Sequence, residues 1–181
     1  MDEQLLELRG IIQQKSLRTG DFTLSSGKKS SYYLDCRMTT LDPRGALLIA
    51  RLILVRMREN NIQADAIGGL TMGADPIVSA VAVVSGLEGT PLPAFIVRKE
   101  TKGHGTQRFI EGWDGKPGAR VVVVDDVCTT AGSILTAAER AEAAGYQVVA
   151  AFCVVDREEG GTELITKKYP FYSLFTAKDL L

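Results

Sequence analysis

The sequence predicts an α/β fold, a twisted and mostly parallel sheet with helices on both faces. Three observations carry that expectation. Short runs at 64–68, 93–97, 121–126, 148–155 and 171–175 read as strands, and those at 121–124 and 148–155 have the near-continuous apolarity of strands covered on both faces. Segments of helical length, with apolar residues spaced by three and four, separate several of these runs. Polar, basic or glycine-rich residues follow the run ends, and that is the rim at which open α/β sheets bind ligands. The 181 residues fit a single domain, 1–181, with no internal repeat, linker or low-complexity segment.

Leu5, Leu8 and Ile12 alternate with Glu7, Arg9 and Gln13, so the chain opens as an amphipathic helix. Residues 20–37 change texture: Phe22-Thr23-Leu24, a small, basic stretch containing Lys28 and Lys29, then Tyr32-Tyr33-Leu34-Asp35-Cys36. They predict two short strands around a turn, and two lysines in a turn usually do no more than meet solvent. Asp42-Pro43 supplies an N-cap and a first-turn proline to a helix with Ala46, Ala50, Ile53 and Met57 on one stripe.

The strand at 64–68 runs into Gly68-Gly69-Leu70-Thr71-Met72-Gly73-Ala74, three glycines between strand and helix that let a backbone approach a ligand or adopt a strained geometry. The segment lacks both the Gly-Lys-Ser/Thr of a Walker loop and a GxGxxG, so it is a weak phosphate signal alone. After 93–97 the segment 98–108 holds four cations, Arg98, Lys99, Lys102 and Arg108, and the single histidine, His104, between glycines. It could close over a polyanion, although an isolated loop of this kind is more often a solvated surface.

Four valines at 121–124 then deliver Asp125 and Asp126, expected at the strand's carboxyl end because carboxylates cannot share its dry interior. Val127, Cys128, Thr129, Thr130, Ala131, Gly132 and Ser133 follow, ahead of an alanine-rich helix at 134–144 that ends at Gly145. Hydroxyls and backbone N–H groups at a helix start favour phosphate, and two acids beside such a turn suit the hydroxyls of a sugar phosphate. A plain buried strand with a polar turn and a threonine N-cap fits the same residues. The strand at 148–155 ends in Asp156-Arg157-Glu158-Glu159-Gly160-Gly161, and 171–175 precedes a short tail at 177–181.

A formal net charge of −1 gives no overall sign of a nucleic-acid or anionic-membrane partner. Three widely spaced cysteines, Cys36, Cys128 and Cys153, favour a reducing compartment, by default the cytoplasm. The N-terminus does not resemble a signal peptide, and the longest weakly polar run, 76–87, is too short to span a bilayer.

Over nearly its whole length the chain resembles the type I phosphoribosyltransferases, and more narrowly the orotate phosphoribosyltransferase family. Residues 121–133, VVVVDDVCTTAGS, are similar to the phosphoribosyl pyrophosphate (PRPP) motif of that fold. Arg98-Lys99-x-x-Lys102-x-His104-Gly105 resembles the catalytic loop of the orotate enzymes, and residues 68–74 and Arg157 match in the family's order. The resemblance implies that PRPP and orotate give orotidine 5′-monophosphate and pyrophosphate in de novo pyrimidine biosynthesis, with Mg²⁺ bound mainly through PRPP and no protein metal cage. It implies that Asp125 and Asp126 hold the ribose hydroxyls, that Val127, Cys128, Thr129, Thr130, Ala131, Gly132 and Ser133 wrap the 5′-phosphate, and that Thr71 and Met72 also meet PRPP. Arg98, Lys99, Lys102 and His104 would stabilise the departing pyrophosphate.

For orotate the resemblance implies a cation facing the base's carboxylate, Arg157 first and Lys28 second. Thr129 would also meet the base, beneath a small hood built mainly from 20–37 and the C-terminal segment. Tyr32 and Tyr33 occupy the place of an aromatic pair there; many bacterial relatives have phenylalanines. Ala131 stands where relatives often have glycine, and the tail after Lys168 is short. In the family the loop of one subunit reaches its neighbour's site, which implies a homodimer with Lys99 and His104 acting in trans to Asp125 and Thr129. Two other readings share the PRPP motif. A purine-base phosphoribosyltransferase has no use for cations beside a neutral base, and a PRPP-sensing nucleic-acid-binding regulator is expected to carry a basic face or an added recognition helix.

Overall fold

In the computed structural model of the chain, residues 3–23, 27, 29–100 and 108–181 are described. Helix α1 (Glu3–Lys15) leads into an antiparallel hairpin, β1 (Leu17–Thr23) and β2 (Lys29–Leu34), and a short α2 (Arg37–Thr40) precedes the long α3 (Pro43–Glu59). There follow β3 (Ala66–Leu70), α4 (Asp75–Leu87), β4 (Ala94–Val97), β5 (Ile110–Glu111) and β6 (Arg120–Cys128). Last come α5 (Gly132–Ala143), β7 (Gln147–Asp156), α6 (Gly161–Ile165), β8 (Phe171–Thr176) and α7 (Ala177–Leu180).

Among the described residues six strands form one sheet in the order β5-β4-β3-β6-β7-β8, parallel except for the edge strand β5. Strand alternation divides the core in two. Val122 and Val124 of β6 pack with α3 and α4 residues such as Ile53 and Ile77, whereas Val121 and Val123 pack with Ile134, Ala137 and Ala141 of α5. All four valines are buried, each burial contributing ~1.5–3 kcal/mol, so this strand anchors both layers. Asp42 caps α3 by accepting from the Arg44 and Gly45 amides at 3.1 and 3.0 Å, and Pro43 occupies its first turn.

The boundaries differ from expectation where polar or small residues join a strand. β3 begins and ends two residues later than the run at 64–68 suggests, which puts Gly68 and Gly69 inside the sheet. Their missing side chains are a packing need: a Cβ at 68 would overlap the Phe95 ring, and one at 69 the Val124 carbonyl. Likewise β6 continues through both acids to Cys128, with Asp125 opposite Cys153 and Cys128 opposite Asp156. β5, α2 and α6 span two, four and five residues, too few to show a period in sequence.

The hairpin is a sheet of its own; at its base the Asp35 N–H donates to the Ser16 carbonyl at 3.0 Å, and a buried Ser16–Thr39 hydroxyl pair at 2.6 Å ties the junction between α1 and β1 to α2. The C-terminal segment joins the same corner, where Gln13 Nε2 donates to the Leu180 carbonyl at 2.9 Å. All three cysteines are buried free thiols. Among the described residues no helix is long and apolar enough to cross a membrane.

Candidate active site

The carboxyl ends of β3, β4, β6 and β7 put Gly73, Lys99, the acid pair and Arg157 at one rim. Asp125 is buried, only 6% exposed, and not at an open strand end as the sequence suggests. The chain tolerates this because each acid is met by the next amide. The Asp126 N–H donates to Asp125 Oδ1 at 3.0 Å and the Val127 N–H to Asp126 Oδ1 at 2.9 Å. Burial, and then the charge of Asp126, push the Asp125 carboxyl up to about 7. Asp126 is also raised, by burial, with the Val127 amide opposing. Gly73 lies against both: a Cβ there would stand 2.5 Å from Asp125 Oδ1 and 2.7 Å from Asp126 Oδ1.

Beyond the acids, Asp125 and residues 127–134 line a pocket of about 120 Å³, a space of phosphate size. Cys128, Thr129, Thr130, Gly132 and Ser133 are among its walls. The N-cap of α5 is Ala131, held in the left-handed region at φ 67°, so the threonine cap of the plain strand-and-turn alternative does not form. Among the described residues no side chain caps this helix start and no acid sits in its first turn, which leaves the first amides directed at an anion site. The turn after β7 props this loop from behind. The Gly161 N–H donates to the Thr129 carbonyl at 3.0 Å, and a Cβ at 161 would press on Cys128 Sγ at 2.6 Å and the Ala131 nitrogen at 2.9 Å. Burial pushes the Cys128 thiol up to about 11, so at neutral pH it is an inert wall.

A second cleft, of about 290 Å³, opens between the hairpin and the sheet, with Tyr33, Arg37, Met72, Lys99, Asp126 and Val127 among its walls. Lys99, which a shared-site architecture would place in trans, lines the cleft of its own chain because it follows β4 directly. Arg98 leans away toward the sheet edge, with Nη1 3.6 Å from Glu111 Oε1. The Thr71–Met72 peptide is cis, and Thr71 Oγ1 donates to Asp75 Oδ2 at 2.6 Å.

Arg157 and Tyr32 are brought together from opposite ends of the chain, the guanidinium carbon 4.8 Å from the ring centroid. The Arg157 side chain is 9% exposed; its Nε lies 2.9 Å from Glu159 Oε1 but makes no hydrogen bond among the described residues. The contact is therefore an ion pair of poor hydrogen-bond geometry. Tyr33 points the other way along β2, beside Phe22 at 5.8 Å between centroids. Lys28, Lys102 and His104 lie outside the described residues.

Two residues of this site are not singled out by sequence, and for Gly73, one of the three glycines expected to let a backbone approach a ligand, the structure supplies the neighbour, the acid pair. Gly161 is invisible in sequence because its role is to lack a side chain against a tertiary neighbour. Arg37 joins the cleft while held by Asp35 in a two-toothed pair at 2.8 and 3.0 Å, a pairing for which the Asp-x-Arg spacing was the only signal. Paired carboxylates, an uncapped helix start and a buried cation beneath an aromatic ring suit a ligand with hydroxyls, a phosphate and a planar acidic group.

Comparison with known proteins agrees. Residues 39–178 match the phosphoribosyl transferase domain family. An orotate phosphoribosyltransferase of Thermosynechococcus vestitus is 48% identical over 99% of this chain and 96% of its own, and one of Aquifex aeolicus is 48% identical over 97% and 96%. Among solved structures, Mycobacterium tuberculosis orotate phosphoribosyltransferase superposes with a TM-score of 0.86 at 39% identity, covering 98% of both chains, in its Fe(III) dicitrate complex. Its complex with PRPP gives 0.81 at 35%, again covering 98% of both chains. Trypanosoma brucei adenine phosphoribosyl transferase, at 17% identity and a TM-score of 0.72 over 99% of this chain and 82% of its own, shares the fold.

Proposed function

Because the chain belongs to the orotate phosphoribosyltransferase family, and so transfers the phosphoribosyl group of PRPP to orotate to give orotidine 5′-monophosphate and pyrophosphate in pyrimidine synthesis, we propose that its two substrates meet between the hairpin and the acid pair. The observation that carries this is the placing of Asp125 and Asp126 beside the uncapped start of α5, with Arg157 under Tyr32 facing the hood. The amides of residues 127–133 hold the 5′-phosphate and the carboxylates accept from the ribose hydroxyls. Arg157 faces the orotate carboxylate, with Lys28 second, and Tyr32 and Thr129 bound the base, while Tyr33 lies beside Phe22. Neutral purines offer no partner to a buried cation, which disfavours that reading.

The reaction needs no enzyme nucleophile. The orotate nitrogen attacks the anomeric carbon from the face opposite the pyrophosphate, through an oxocarbenium-like transition state. The protein orients the two reactants and stabilises charge. Lys99 in the cleft, with Arg98, Lys102 and His104 of the same segment, meets the pyrophosphate as its charge grows, and Thr71 and Met72 border it. Mg²⁺ fits the donor set: Asp125 and Asp126 crowd two acids into one buried corner, and among the described residues no cluster of three or more ligating side chains could hold an ion alone. The ion would be held through PRPP and its own waters, with the acid pair near, and when bound it neutralises phosphate oxygens.

A homodimer is supported by apolar side chains left exposed near the cleft, Met38 and Leu41 around α2 and Met72 on the wall. Buried free thiols support a reducing, cytoplasmic setting. The assay is pyrophosphate release from PRPP and Mg²⁺ with orotate, uracil, hypoxanthine or adenine. Orotate should be turned over in strong preference, and faster release with any other base would overturn the assignment.

A further inference from the structure

Helix α5, whose start lines the phosphate pocket, carries Arg140 just over two turns further on. This side chain faces away from that pocket and is half-buried against both stems of the basic segment. Its Nη1 donates to the Arg98 carbonyl, and its Nη2 to the Lys99 carbonyl at 2.9 Å. Its guanidinium carbon lies 4.1 Å from the centroid of Phe109, on the returning stem. The two stems are themselves joined, since the Arg98 N–H donates to the Phe109 carbonyl at 2.9 Å. Neighbouring acids on the helix are engaged elsewhere: Glu139 with Lys168 at 3.5 Å, and Glu142 with the Tyr169 hydroxyl at 2.8 Å.

We propose that Arg140 is a positioning residue for the transfer reaction, holding the main chain of Lys99 so that its ammonium is presented at the cleft in fixed register with the phosphate-binding helix. A planar fork can reach two successive carbonyls and stack on a ring together, and a lysine at 140 cannot. The carbonyls of residues 98 and 99 point to the helix, so the Lys99 side chain is free to line the cleft with Asp126. Arg140 itself touches neither the acid pair nor that cleft. The inference rests on the reading that Lys99 meets the pyrophosphate.

The test is steady-state kinetics of the full-length enzyme with PRPP, Mg²⁺ and orotate, for Arg140→Ala, Arg140→Lys, Lys99→Ala and the double variant Lys99→Ala/Arg140→Ala. Arg140→Ala should lower kcat roughly 10- to 100-fold with little change in the orotate KM, the loss expected of a displaced catalytic group. Arg140→Lys should fall between it and the wild type. In the Lys99→Ala background the same change should cost almost nothing, because Arg140 acts through that side chain. Wild-type kcat in Arg140→Ala, or losses that multiply in full in the double variant, would overturn the inference. If Arg140→Ala does not fold, a wild-type kcat in Arg140→Lys overturns it equally. Wild-type kcat in Lys99→Ala defeats the reading of Lys99 and this inference with it, whereas a slow Lys99→Ala beside a normal Arg140→Ala defeats this inference alone.

Discussion

Asp125 is a carboxyl buried inside a sheet, 6% exposed, with the amide of the next residue donating to it at 3.0 Å. Two adjacent acids after four valines are plain to read, but not their burial, since the amides that make it tolerable are those of the next residues in an extended strand. The carboxyl is moved from an ordinary 3.8 to about 7, so between those values the folded protein holds a proton that the unfolded chain has lost. Stability from this group therefore falls as pH rises through that window and is level above it. Asp125→Asn should raise the unfolding free energy of the ligand-free protein at pH 8 by on the order of 1–3 kcal/mol and leave it nearly unchanged at pH 4. Thermal denaturation at both pH values measures this, and an equal shift at the two would contradict the burial argument. The same variant should lose most of its turnover, so that the ribose anchor is kept at the expense of stability. Arg157 stands out in the sequence through the family resemblance, and only folding shows that Tyr32 lies over it.

At the scale of elements, β3 shows why glycines near a predicted loop mislead. Gly68 and Gly69 are buried in the sheet, and Gly69 sits against the Val124 carbonyl and 2.5 Å from the Ala74 methyl as a Cβ would meet them. Gly69→Ala should destabilise by about 2 kcal/mol, as overpacking does, because neither the carbonyl nor the helix start can give way. Gly10→Ala in α1 meets open space and should stabilise by ~0.5–1 kcal/mol through helix propensity. Chemical denaturation of the two variants separates a packing glycine from a tolerated one, and effects of the same sign would refute the distinction. The helices and central strands were legible because they are long enough for a period. The hairpin was legible through its turn chemistry, although the nearness of Tyr32 to Arg157 was not.

At the scale of the whole molecule the open question is how many chains build one site. Lys99 and Asp126 share a cleft within one chain, whereas Lys102 and His104 would come from a neighbour if the family's sharing holds. Lys102→Ala and Asp125→Asn chains, each nearly inactive alone, should then recover roughly a quarter of wild-type activity when mixed to random dimers, since one site in each mixed pair is intact. Verified mixed dimers with no recovery would mean that each site is built within one chain. Sequence alone was enough for the α/β class, the PRPP motif and the basic segment, because each is local, written in neighbouring residues and in the apolar period of buried strands. It took folding to bury Asp125, to set Gly73 against the acids and Gly161 against the loop at 128–131, to bring Arg37 to the cleft and to turn Arg140 onto the carbonyls of residues 98 and 99. Those depend on contacts between residues far apart in the chain, and the absence of a side chain or the direction of a guanidinium has no local signature.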